Sequence, residues 1–235
     1  GRVCRAPIEP DGDGTYRLLD TGRFTAVLGT TVCDDEPFRG QLQLGYCSGF
    51  LVGPDLIATA GHCVSAPDAA FIFSFDQLGP MLGAPDEFDP AHIPASNVYF
   101  ATQVVDRVFT QQVDYAIVKL DRAAVGRTPL ALRRSGEPAA GQELLLVSHA
   151  NNLPAKFDGG GVVRDANAGL PYFTANLDAF GGSSGAPVVD RATGLVEGIL
   201  VRGNADFVNA GGCVRSKVCA DGGCPGYEEI TRSSV

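Results

Sequence analysis

Apolar and polar positions alternate along this chain in short runs, and glycine or proline interrupts them every few residues. A period of two between turn residues predicts strands, and no stretch carries the longer period of an extended helix. Residues 23–32, with Phe24-Thr25-Ala26-Val27-Leu28 at their centre, read as a first strand and Gln41 to Phe50 as a second. From Cys47 an apolar run meets the turn Pro54-Asp55, and a second apolar run leads to Gly61-His62-Cys63, so this segment reads as a hairpin. Ala70 to Phe75 follows, then an acidic, proline-rich loop over 79–94, read as an exposed insertion with the rim of a substrate cleft as its alternative role. Asn97 to Phe109 alternates again and leads into Asp114-Tyr115-Ala116-Ile117-Val118-Lys119-Leu120, completing about six strands, enough for one small barrel. After a polar linker, Asp121 to Pro129, short β-like runs recur at 130–132, 143–148, 161–164, 172–177, 186–189 and 195–201, again about six. The expectation is an all-β chain of two packed six-stranded antiparallel β-barrels, 1–121 and 122–235, with a cleft between them and no internal repeat.

Composition agrees with many strands and tight turns: 235 residues, 45% hydrophobic, with 30 Gly and 15 Pro. A formal charge of −9 argues against a nucleic-acid surface and a basic membrane-binding face. No apolar run approaches the ~18 residues of a membrane span. A chain that begins at Gly1 instead of Met leads one to expect a removed leader or pro-segment, or a trimmed chain. Seven cysteines point to an oxidising compartment, hence secretion or the periplasm. Antiparallel pairing brings the ends of the hairpin together, so a Cys47–Cys63 bridge is expected to hold the strand bearing His62. Cys4–Cys33 plus one bridge within Cys213, Cys219 and Cys224 accounts for the others and leaves one thiol over; a zinc knuckle in that trio is disfavoured, because no histidine follows and the paired Cys-x-x-Cys spacing is missing. Asp11-Gly12-Asp13-Gly14 opens like a calcium loop, but Tyr16 and Gly22 stand where such a loop needs glycine and glutamate. That excludes an EF-hand and leaves room only for a looser calcium contact.

Three stretches carry candidate chemistry. Gly181-Gly182-Ser183-Ser184-Gly185-Ala186-Pro187 is either a plain glycine–serine turn or a nucleophile loop, in which the N–H groups of Gly182 and Ser184 form an oxyanion hole. His62, at the end of the hairpin, is a side chain able to take and return the serine proton near neutral pH. Asp114, at the start of its apolar strand, is placed to be buried against the imidazole and fix its tautomer. Rivals are weaker: His92 sits in the acidic loop, His149 ends an apolar strand before a turn, and Asp106 lies within an alternating run.

The order His62, Asp114, Ser184 in these contexts resembles the chymotrypsin-like serine peptidases over roughly residues 40 to 205. It is most similar to their bacterial branch, which includes glutamyl endopeptidases and carries Gly-Asn-Ser-Gly-Ser-Pro where this chain has Gly-Ser-Ser-Gly-Ala-Pro. The resemblance implies cleavage of protein or peptide substrates through an acyl-enzyme, without metal or organic cofactor, and favours the Cys47–Cys63 bridge. Animal members place aspartate before the nucleophile to pair with a new amino terminus. Ser183 stands there, so any pro-segment is expected to block the site or guide folding. The residue six before the nucleophile, Asp178, falls at the floor of the family's specificity pocket and implies cleavage after Arg or Lys, although bacterial relatives carry a structural Asp in a similar stretch. Leu200 stands where glutamate-specific relatives have histidine, which disfavours Glu, and Gly203 would leave the pocket wall open to a long side chain. Cleavage after medium apolar residues is the alternative; an esterase and a trypsin-fold binding protein without catalysis are those of other classes. The Gly-x-Ser-x-Gly loop of α/β-hydrolases does not fit, since Ala186 follows Ser184 by two and the order of the three residues is reversed.

Overall fold

The computed structural model describes residues 2–4, 8–19, 21–76, 88–219 and 227–235, with backbone alone for 2–4. Most of the acidic loop read at 79–94, and Cys224, lie outside the described residues. The chain is almost entirely strand and turn, arranged as one curled sheet and one closed barrel.

The first sheet has seven strands, in spatial order Cys47–Ser48, Arg2–Cys4, Ala70–Ile72, Val98–Phe109, Asp114–Leu120, Leu56–Thr59 and Phe50–Gly53. Its two edge strands are neighbours in sequence, separated by Gly49 alone, so the sheet must curl until its edges meet. Glycine suits that corner, since a Cβ on Gly49 would crowd Ile57 at 3.1 Å and the Ala58 carbonyl at 3.2 Å. Residues Val98–Phe109 and Asp114–Leu120 form a long hairpin with two register shifts, and such bulges tighten curvature.

The second sheet closes into a barrel of Glu143–Ser148, Lys156–Asp165, Tyr172–Ala175, Glu228–Arg232, Val196–Arg202 and Pro187–Asp190. Leu144, Leu146, Phe173, Val188 and Ile230, all but inaccessible, fill it. Ile199 and Val201 belong instead to the cluster of the first sheet, with Phe50, Ile57 and Val118, so strand Val196–Arg202 packs the two units together.

Several sequence expectations are corrected. Residues 23–32 form no single strand: Leu28 and Gly29 take positive φ (47° and 81°), and Ala26–Val27 turns back on Thr30–Thr31. Gln41 to Phe50 is broken into Leu42–Gln43, Cys47–Ser48 and the start of Phe50–Gly53. The sixth strand of the second barrel is Glu228–Arg232; in the run 130–132 Leu132 makes only an isolated bridge to Val196. The polar amino-terminal segment contains strands Ile8–Pro10 and Thr15–Leu18, joined through Gly12 and Gly14 at positive φ. Between them the Asp13 carboxylate accepts from the Thr15 backbone amide at 3.0 Å and from its hydroxyl, so the acidic turn is closed by its own donors. Cys33 pairs with Cys213, across 180 residues of sequence and a Cα separation of 5.0 Å, and not with Cys4. The reason is local: Val32 bridges Val214 in parallel and the Cys33 amide donates to the Val214 carbonyl at 2.9 Å. Cys219 is also disulfide-bonded.

Candidate active site

The expected Cys47–Cys63 bridge is present, with a Cα separation of 6.2 Å. It fixes the short helical turn Gly61–Cys63 that carries His62 at the end of strand Leu56–Thr59. That strand runs antiparallel to Asp114–Leu120 with Thr59 opposite Ala116, and continuing both chains past this pair brings His62 and Asp114 together. Oδ2 of Asp114 lies 2.7 Å from His62 Nδ1, and its Oδ1 accepts the His62 backbone N–H at 3.1 Å. A carboxylate accepts, so Nδ1 carries a proton, and in the neutral ring Nε2 is left to present a lone pair. Asp114 is 1% exposed and donates its own amide to the Thr231 hydroxyl of the second barrel at 3.2 Å. Gly61 makes the approach possible, because a Cβ there would meet the Val108 carbonyl at 2.3 Å and the Asp114 carboxylate at 3.0 Å. Cys47, His62 and Cys63 converge, but both sulfurs are tied in the disulfide, so no thiolate remains for a metal.

The stretch from Phe180 to Ala186 folds tightly, with Gly182 and Gly185 at φ 92° and 88°. Its amides divide cleanly. Gly181 donates to Asp206 Oδ2, Ser183 to the Phe180 carbonyl, Gly185 to Leu200 and Ala186 to Ser183, at 2.8–3.0 Å. Among the described residues the Gly182 and Ser184 amides donate to no protein acceptor. Ser183 is fully buried, its hydroxyl 2.9 Å from that of Ser148. Hydroxyls therefore join where a buried aspartate would need a cation.

Ser48, which the sequence reading passed over, ties this loop to the first sheet. Its amide donates to the Ser184 carbonyl at 2.7 Å and its hydroxyl to the Gly182 carbonyl at 2.9 Å, while the His149 amide donates to that hydroxyl at 3.0 Å. The Ser184 carbonyl also lies 3.9 Å from the sulfur of Cys63, the residue after His62. Ser184 is half-buried, and no hydrogen bond joins it to His62. His149 is held elsewhere, its Nδ1 donating to the Leu153 carbonyl at 3.0 Å and its ring stacked on Phe75. His92 is exposed and paired with Asp89, and Asp106 accepts the Tyr115 hydroxyl.

Beside the loop opens a cavity of about 660 Å³ whose walls include Asp178, Phe180, Asp206 and Glu228. Asp178 is exposed at its edge, its carboxyl pushed up by burial of part of the group and by Asp158. Asp206 is pushed up by burial, with the Gly181 amide pulling the other way. Gly203 does not leave an open wall: a Cβ there would lie 2.0 and 2.2 Å from the Glu228 carboxylate oxygens, so Glu228 occupies that room. Arg202 turns away to Glu229 and to the Gln111 carbonyl of the first unit. Asp206 and Glu228 escaped the sequence reading, because neither lies near the three motifs in the chain.

No curated protein matches the chain in sequence. Among solved structures it is similar to an inactive serine-to-alanine mutant of Rv3671c from M. tuberculosis H37Rv, at 16% identity and a TM-score of 0.48, covering 82% of this chain and 77% of that one. A second structure, the Rv3671c protease in an inactive form, gives 17% identity and a TM-score of 0.48 over 80% and 78% of the two chains. The decisive comparison is with a family model, the trypsin-like peptidase domain, which matches residues 47–199, a span that begins at the hairpin cysteine and ends beyond the Ser184 loop. The chain belongs to the trypsin-like peptidase family, as a chymotrypsin-like serine peptidase.

Proposed function

We propose that this protease is an endopeptidase that cleaves after Arg or Lys, with unit 1–121 supplying His62 and Asp114 and unit 122–235 supplying Ser184. In the reaction the Ser184 hydroxyl attacks the peptide carbonyl while its proton passes to His62 Nε2. Asp114 steadies the imidazolium through Nδ1–H, and the amides of Gly182 and Ser184 receive the negative oxygen. The carbon–nitrogen bond then breaks as His62 returns the proton to the departing amine. Water repeats the sequence on the acyl-enzyme and frees Ser184. No step calls for a metal or organic cofactor.

The observation that carries this reading is the division of amides in the loop: those of Gly182 and of Ser184 itself donate to no acceptor among the described residues, whereas those of Gly181, Ser183, Gly185 and Ala186 are committed. Support for a basic side chain comes from Asp178, Asp206 and Glu228 around one cavity. The disulfides are compatible with an extracellular or periplasmic protein.

Labelling with a fluorophosphonate, followed by peptide mapping, tests the assignment. Ser184 is expected to carry the label, and Ser184→Ala to lower hydrolysis of a peptide amide by about 10⁴-fold or more. Label on another residue, or retained hydrolysis in Ser184→Ala, overturns it. A folded protein that takes no label and cuts no amide would instead be a trypsin-fold binding protein.

A further inference from the structure

We infer that Glu228, seated against Gly203 in the cavity beside the Ser184 loop, is the residue that discriminates charged from neutral side chains on the acyl side of the scissile bond. The inference rests on the peptidase reading and refines its specificity.

Strand geometry places the side chain. In Glu228–Arg232 successive residues face opposite ways, so Glu228 shares a face with Ile230, which is wholly buried in the barrel. Glu229 faces the other way and pairs with Arg202 at 2.9 Å. Glu228 is thus a carboxylate at the inner end of a barrel, where the cavity opens. Gly203 is its complement, since any side chain there would displace it. The cavity also adjoins the reacting loop: Asp206 on its wall accepts from Gly181 at 2.9 Å, and Gly181 lies three residues before Ser184. On this inference the side chain of an acyl group on Ser184 lies in this cavity, toward Glu228.

Most of the charged groups around Glu228 carry its own sign. Asp206 faces it from the loop after Val196–Arg202, Glu229 flanks it on its own strand, and Asp178, Asp158 and Glu36 stand on other cavity walls. Two cations line the cavity, Lys156 and Lys217. Lys156 is bound to the Gln41 side chain and the Pro154 carbonyl, both at 2.9 Å, and lies over the Phe38 ring. Asp178, the floor residue expected from sequence, is exposed and contributes its field from the edge.

Burial, then Asp206, push Glu228 up to about 8, against the Asn204 amide, which pulls it down. Below that pH the group is neutral and tolerates a neutral side chain. Above it, an ionised and enclosed carboxylate demands a cation, and a guanidinium supplies both the charge and paired donors. Cation binding should then lower the Glu228 pKa and release a proton near neutrality.

The test compares two peptide amides that differ only in arginine or its neutral isostere citrulline, with kcat/KM measured from pH 6 to pH 9. A pH effect on the reaction that is common to both peptides cancels in the ratio. The arginine-to-citrulline ratio is expected to rise at least tenfold across this range, to stay flat in Glu228→Gln, and to keep its rise in Asp178→Asn. A flat ratio in the parent, or a rise that survives Glu228→Gln, overturns the inference while leaving the peptidase reading intact. If neither peptide is cut, the reading of cleavage after Arg or Lys fails. The pocket is read separately by calorimetry, with N-acetylarginine amide titrated into Ser184→Ala in two buffers of different ionisation enthalpy. Proton release at pH 7.5 that disappears when Glu228→Gln is added supports the assignment, and its absence in Ser184→Ala overturns it.

Discussion

Asp114 and Glu228 are both carboxylates drawn away from water, and their surroundings are opposite. Asp114 has both oxygens filled from within the protein, by the His62 ring and the His62 amide. Glu228 faces Asp206 across a cavity, and its neighbouring arginine is turned to Glu229. A carboxylate whose partners are built in holds geometry; one that faces another carboxylate, as Glu228 faces Asp206, is the one proposed to select what comes in. The bridges Cys47–Cys63 and Cys33–Cys213 fall along the same division. Cys47–Cys63 brackets His62, whereas Cys33–Cys213 clamps the hairpin of Phe207–Asn209 and Val214–Ser216, just beyond Asp206.

The largest expected effect comes from taking the built-in partner away. Asp114→Asn removes the acceptor that holds the Nδ1 proton and should lower kcat/KM by about 10³–10⁴-fold, ~4–5.5 kcal/mol of transition-state stabilisation. The arginine and citrulline peptides should lose equally, and a changed ratio would mean that the two carboxylates are coupled. Removing the disulfides comes next. Serine at both Cys47 and Cys63, or at both Cys33 and Cys213, should cost about 2–4 kcal/mol in urea unfolding. The first pair should slow turnover of both peptides, and the second should mainly erode the arginine preference; the reverse pattern would break the comparison. The smallest effect is on stability. Glu228 keeps its proton more tightly folded than unfolded, so its contribution is complete below about pH 4.5 and falls as pH rises toward about 8. Glu228→Gln should therefore match the parent at pH 4 and be the more stable of the two at pH 9, as urea unfolding at the two pH values reads.

Much of the site was legible because its chemistry is local. Gly-Gly-Ser-Ser-Gly needs its residues side by side, and the hairpin ending in His62 advertises itself by turn residues and cysteines. The long alternating runs 98–109 and 114–120 were equally readable, since each buries one face. The missed features depend on partners distant in sequence. Glu228 and Glu229 obscured a strand whose inward face is supplied by Ile230, and nothing near Cys33 signals Cys213. Phe24 to Leu28 misled for another reason: its residues favour strand, but Leu28, fully exposed, takes the positive φ of a turn. Ser48 could have been singled out only by knowing which carbonyls would come to rest against it.

The Cys33–Cys213 crosslink has a further consequence for a protein that can attack its own kind. His62, Asp114 and Ser184 all lie on the stretch of chain between these two cysteines. Cutting one peptide bond within that stretch, for instance at an exposed surface loop during self-digestion, opens a covalent ring without releasing a piece. The nicked molecule keeps the three side chains proposed to react on a single framework and would run as one species until it is reduced.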